Sequence, residues 1–421
     1  MANYKWNVKM LKSLSEEDIA LLELVYRHRC VDEQLAHRYI YSSVAIHRNF
    51  THNRLMELVR MHLLEPVSYG KKYPALFLTT LGVEALRNLK IGSHDDLFSD
   101  IRPAYDLKMK PQNINHQIRL NAFALEYQLA ATGQLKYEYF DAKFMPRCSE
   151  TMSPDGLLVF QNRLYLLEMD MGNERSSHLA VKWNNYRSFL TNRAEFYQNR
   201  KMTMLFILDG VKVTSQRRNT VLSSLSQYLL DAVDGEFEVF VDAPEILLDI
   251  LTEQTLKGPG LCAAGDRARR ALHALNGFSF SRAGFSTFLS SEYDSYIRKL
   301  DPERHVAVQD GKPQEFLLDY WMDGRVSVVH KIFFHNKTNF AFEQRMRRGI
   351  SYMIVVPSEK WLSNVLAQCG ARGMKDVYFT TAERLEKRSL PEALFQIDEV
   401  GALYHYLNCG LKERCFERRL S

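Results

Sequence analysis

Cysteine is scarce in this chain of 421 residues, with six scattered at 30, 148, 262, 369, 409 and 415. They form no CxxC pair and no Cys/His cluster at zinc spacing, which argues against a disulfide framework or a structural zinc and fits six small buried hydrophobes in a reduced cytoplasm. No stretch reaches 18 uninterrupted apolar residues, and residues 1–11 carry lysines and a tryptophan where a signal peptide would have an apolar segment. The expectation is a cytoplasmic protein with no membrane span. Charge of one sign is also in short supply: 55 Lys and Arg against 50 Asp and Glu leave +5, too little on its own to mark a nucleic-acid binder. What remains, 46% hydrophobic and 25% charged residues, is the composition of an ordinary folded chain. It excludes disorder and collagen, and the length suits two or three domains.

Ser15 followed by Glu16, Glu17 and Asp18 is an N-cap signature, and Ile19, Leu22 and Val25 continue at helical spacing. Asp32 caps a second short helix, and a third runs through Leu55, Leu58 and Met61. Leu63–Val67 and Ala75–Leu78 read as strands around a turn, and the stretch LTTLGVEAL then opens another helix. This order resembles the winged helix-turn-helix domains of bacterial DNA-binding proteins, and it is assigned to residues 1–91. On that resemblance Arg48, Asn49, His52, Asn53 and Arg54 would face the major groove while Lys71 and Lys72 reach flanking phosphates. The competing reading is a protein-binding winged helix with a solvated basic face. Residues 27–72 hold eight Lys or Arg against four acids, so most of the net charge lies in this module.

An irregular stretch, 92–112, reads as a linker, and residues 113–256 as a central α/β/α domain. Ser153–Phe160 and Leu164–Asp170 form a predicted hairpin in which Asp155 opens the first strand. Glu168 and Asp170, two apart on the second strand, share one face. Three converging carboxylates are what Mg²⁺ or Mn²⁺ requires. The Pro-Asp, hairpin, Glu pattern resembles the PD-(D/E)xK nuclease-like fold, with Asp170 standing where that fold usually has lysine. The resemblance implies catalysis by Asp155, Glu168 and Asp170 as metal ligands, with Lys182 of the next helix supplying the displaced cation and Arg187 a second candidate. The alternative is a relic site whose carboxylates cap turns or pair with those cations. His116 reads as a core or capping histidine, and Trp183, Tyr186 and Phe189 as core.

The "NxHQ" start at Asn113–Gln117 and the runs SPDGLL, EMDMGNE and VKWNNYRSFL resemble the replication-relaxation family of plasmids and integrative elements, over residues 15 to 245. Residues 257–421 read as a further α/β unit, a degenerate copy of the central one. It is expected to contain a hairpin of Phe316–Met322 and Arg325–Phe334 around Asp323-Gly324, with Asp319 matching Asp155. The expected whole is a multidomain α+β and α/β protein of a mobile element that binds double-stranded DNA and either cleaves or only grips it. The alternative is a non-catalytic transcription regulator or replication adaptor, with replication or conjugation proteins, or a second copy, as partners.

Overall fold

The computed structural model describes residues 11–42, 47–89, 102–131, 138–146, 152–160, 162–172, 175–192, 195–209, 215–229, 232–233, 236–257, 263–276, 279–281, 303–309, 312–321, 325–326, 328, 331–332, 335, 351–358, 376–397, 403–406 and 412–413. The chain is mixed α/β and divides into two compact units. One is Met1–Arg147 with Ser153–Gln161, and the other is Cys148–Met152 with Asn162–Ser421.

In the first unit α1 (Glu16–His28) starts at a full capping box: Ser15 Oγ accepts from Asp18 N–H at 3.2 Å, and the Asp18 carboxylate accepts from Ser15 N–H at 2.8 Å. The Asp32 side chain caps α2 (Glu33–Ala36) by accepting from Leu35 N–H, and α2 runs into a π turn over His37–Tyr41. Next come α3 (Arg48–Arg60), the antiparallel strands β1 (Leu64–Val67) and β2 (Ala75–Leu78), and α4 (Thr80–Leu89). The sequence patterns predict this helix, helix, helix, hairpin, helix order. Gly82 lets α4 lie against the preceding backbone, since a Cβ there would come within 2.2 Å of the Leu63 carbonyl oxygen.

The stretch read as a linker contains α5 (Ala104–Leu107), and Leu107 is fully buried. Helix α6 (Pro111–Ala131), expected to start the central domain, puts Ile114 and Ile118 into the same core as Leu21, Val25, Leu55 and Leu58. Its buried Asn121 donates to the carbonyls of His28 (3.0 Å) and Cys30 (2.7 Å), while its amide oxygen accepts from Gln117 Nε2 at 2.9 Å. A side chain of α6 thus satisfies carbonyls that the end of α1 leaves open. Arg29, in the left-handed region at φ 67°, donates to the Leu107 and Lys108 carbonyls. Strand β3 (Glu138–Asp141) then pairs antiparallel with β4 (Gly156–Phe160).

In the second unit β5 (Arg163–Asp170), β6 (Lys201–Leu208) and β7 (Phe237–Asp242) are parallel, with Leu167 opposite Leu205 and Leu205 opposite Phe240. Every residue of β5 and β6 after the first is buried, the near-continuous apolar pattern of parallel strands covered on both faces. Helix α7 (Ser176–Thr191) links β5 to β6, α8 (Ser215–Tyr228) links β6 to β7, and α9 (Pro244–Lys257) follows.

Helix α10 (Ala263–Asn276) leads into an eight-stranded sheet ordered β15-β14-β13-β12-β11-β10-β9-β8. Its strands are β8 (Ser279–Ser281), β9 (Glu303–Gln309), β10 (Lys312–Tyr320), β11 (Ser351–Val355), β12 (Val377–Thr380), β13 (Phe395–Ile397), β14 (Leu403–Tyr406) and β15 (Lys412–Glu413). Between β12 and β13 lie α11 (Ala382–Lys387) and α12 (Leu390–Ala393). Helices α10 and α11 cover one face, where Ala268, Leu272 and Leu385 meet Leu318, Met353 and Tyr378.

Two expectations for this region are corrected. The hairpin is β9 with β10, Gln309 pairing with Lys312. Arg325–Phe334 is not its second strand, because Val328, Lys331, Ile332 and His335 are helical. A short apolar run has no periodicity that separates strand from buried helix, and here inward-facing Lys331 and His335, one helical turn apart, decide it. Since β10 is the strand that takes a parallel partner, Asp319 stands where β5 places Glu168 and Asp170, not where Asp155 stands. The expected turn at 323–324 lies outside the described residues.

Candidate functional site

Helix α3 has no side-chain cap, and its first two turns face solvent: Arg48, Asn49, Phe50, His52 and Asn53 are exposed while Thr51, Leu55 and Leu58 turn into the core. Lys71 and Lys72, between β1 and β2, are exposed as well, with Lys72 Nζ 5.1 Å from the centre of the Tyr73 ring. His52 Nδ1 lies 2.7 Å from a Glu33 carboxylate oxygen.

Arg54 is different from its neighbours on α3. Its guanidinium binds the buried Asp18 carboxylate from two nitrogens and Glu57 from the third, at 2.6 Å, and Tyr41 O–H also donates to Asp18 at 2.9 Å. Burial opposes ionisation of Asp18, but Arg54 and the Ser15 and Tyr41 donors outweigh it and hold the carboxyl below its ordinary range. Arg54 therefore ties α3 to the start of α1.

Of the four predicted catalytic residues, Asp155 belongs to the first unit and Glu168, Asp170 and Lys182 to the second. Asp155 Oδ2 lies 3.1 Å from His116 Nε2, with both side chains about 30% exposed, so His116 is not a core residue. Glu168, only 3% exposed, accepts from Lys182 Nζ at 2.9 Å on one oxygen and from Tyr186 O–H at 2.5 Å on the other. The ammonium also sits 5.4 Å from the centre of the Phe206 ring, on the residue paired with Glu168 across the sheet. Asp170 accepts from Gly172 N–H at 2.9 Å, in an Asx turn closed by Gly172 at φ 76°, and from Arg217 Nε at 2.6 Å. At the end of β7, Asp242 pairs with Arg218 at 2.9 Å.

Lys182 thus reaches Glu168 as expected, whereas Arg187 is exposed on α7. Tyr186 is buried as predicted, yet its hydroxyl also belongs to this cluster; its position one turn after Lys182 was the available signal. Arg217 lies 47 residues from Asp170, and no local pattern announces it.

The C-terminal sheet holds a parallel case. Asp319 accepts from Lys331 Nζ (2.7 Å), Arg325 (2.8 Å) and Tyr352 O–H (2.9 Å). Burial opposes its charge, but the two cations outweigh it and lower its pKa. Arg325 also donates to Glu238 on β7 at 2.8 Å, and Val326 N–H donates to the Val239 carbonyl.

The fold and sites define a mixed α/β chain with an exposed polar and basic helix in one unit and ion-paired strand-end carboxylates in the other. Residues 22–205 match the replication-relaxation family, so that stretch is similar to it. No curated protein and no solved structure matches the chain. Among the described residues no helix is long and apolar enough to cross a membrane.

Proposed function

We propose that the chain binds double-stranded DNA through its first unit, acting as a winged helix in the replication, maintenance or transfer of a mobile element. The observation that carries this reading is the exposure of Arg48, Asn49, His52 and Asn53 on α3, with Lys71 and Lys72 exposed on the neighbouring hairpin. Arginine and asparagine pair bidentately with guanine and adenine edges, and lysines bind phosphates. Arg54 serves as a strut beneath that surface. Fluorescence anisotropy with duplex DNA tests the reading: Arg48→Ala with Lys71→Ala should weaken binding roughly 10- to 100-fold. Unchanged affinity would remove this face from the DNA.

The second unit is proposed as a nuclease-like sandwich that grips DNA or presents a surface to replication or conjugation proteins, or to a second copy. Glu168 and Asp170 would be donors to Mg²⁺ or Mn²⁺, but with their oxygens engaged they fit a divalent ion poorly. Glu168 and Asp170 are each neutralised by a cation, and among the described residues no three of His, Cys, Asp or Glu come together as metal ligands. The Glu168–Lys182 contact favours a second reading, phosphodiester cleavage, because an acid–lysine pair is what the nuclease-like fold uses. Supercoiled DNA incubated with the chain and Mg²⁺ or Mn²⁺ separates the two: nicking that Glu168→Ala abolishes supports cleavage, and no nicking supports the gripping role.

A further inference from the structure

Between the β1–β2 hairpin, the start of α2 and one face of α6 lies a cleft of about 360 Å³. Its lining differs from that of a plain phosphate track. Leu35, Ile118 and Ala122 give it apolar surface, and Tyr69 and Tyr73 add two half-buried aromatic rings. Four cations, Arg48, Lys71, Lys72 and Arg119, line it with exposed side chains. Gln34, Asn115 and Asp32 add amide and carboxylate groups that can meet the edge of a base. Asn115, Ile118, Arg119 and Ala122 follow one another at helical spacing, so one stripe of α6 lines the cleft.

A duplex backbone has no use for apolar and aromatic lining, because its stacked bases are hidden behind phosphates. An unstacked base needs such surface, with cations beside it for its phosphates, and the volume lies within the usual range of small-ligand pockets. We propose that this cleft takes one unpaired nucleotide of the bound DNA, its base against Tyr69 and the apolar lining and its phosphates toward Arg119 and the hairpin lysines. This rests on the DNA-binding reading above and adds the form of DNA recognised.

The test uses the full chain and fluorescein-labelled 30-mer DNAs, one fully paired and one carrying a single-nucleotide bulge. Tighter binding of the bulged duplex, by 3-fold or more, is the expected result. Tyr69→Ala should remove that preference while leaving affinity for the paired duplex within 2-fold, which also reports that the variant is folded. Equal affinity for the two DNAs in the wild type, with paired binding intact, overturns the nucleotide pocket and leaves the DNA reading standing. A preference that survives Tyr69→Ala overturns the pocket as its source. Failure to bind either DNA overturns both.

Discussion

Glu168 and Lys182 define the residue scale of the second unit. A carboxylate 3% exposed is tolerable because an ammonium and a phenol meet its two oxygens. Removing one member of such a pair leaves a buried charge without its partner, which costs more than the pair contributes. Lys182→Met should therefore destabilise the second unit by on the order of 3 kcal/mol in urea unfolding. Adding Glu168→Gln should restore most of that loss, since the stranded charge is then gone.

In the first unit His28 is buried, stacked on Tyr139 with ring centres 4.5 Å apart, and its Nδ1 lies 3.4 Å from the Asn121 amide oxygen. Burial pushes its pKa down to about 4, against the ordinary 6.5. The folded state thus holds the ring neutral while the unfolded chain binds a proton. Stability is complete above pH 6.5, falls as the pH drops toward 4, and the window is worth about 3 kcal/mol. Unfolding at pH 7.5 and 4.5 measures it. His28→Gln should shrink the difference between the two pH values, and an unchanged difference would place the titration elsewhere.

Among the elements, α4 depends on one close approach. Gly82→Ala would push a methyl group onto the Leu63 carbonyl, and a shift of the helix should cost about 1 to 3 kcal/mol, read as a lowered midpoint of denaturation. The elements most legible in the sequence are those with local signals. Ser15 and Asp32 marked the helix starts, and the apolar runs of β5 and β6 with the acids at the end of β5 marked the carboxylate strand. The allegiance of α6 was not legible, because Ile114, Ile118 and Asn121 look the same whichever core receives them. Lys331 misled for a related reason: within an apolar run it reads as a strand residue, and only its contact with Asp319 shows why a helix forms. Half of the carboxylate cluster could be anticipated, since Lys182 lies in the helix next to Glu168, whereas Arg217 arrives from a distant helix.

For the whole molecule, the net charge of +5 acquires a location. Arg54 is withdrawn into an ion pair, yet Arg48, Lys71, Lys72 and Arg119 remain exposed within the first unit. In the second unit strand-end acids are matched by arginines and two lysines, and Arg325 joins Glu238 on β7 to Asp319 on β10. That linkage ties both sheets of the second unit through one side chain. Among the described residues the first unit turns a set of cations outward, while the strand-end acids of the second unit are buried and paired.

Whether the basic face of the first unit binds DNA is read from the salt dependence of duplex binding by the full chain. Four phosphate contacts should release counterions so that log K falls linearly with log salt with a slope of about −4, and Lys71→Ala with Lys72→Ala should reduce that slope by about 2. An affinity indifferent to salt, or a slope the double variant leaves unchanged, would mean that this face does not hold the DNA.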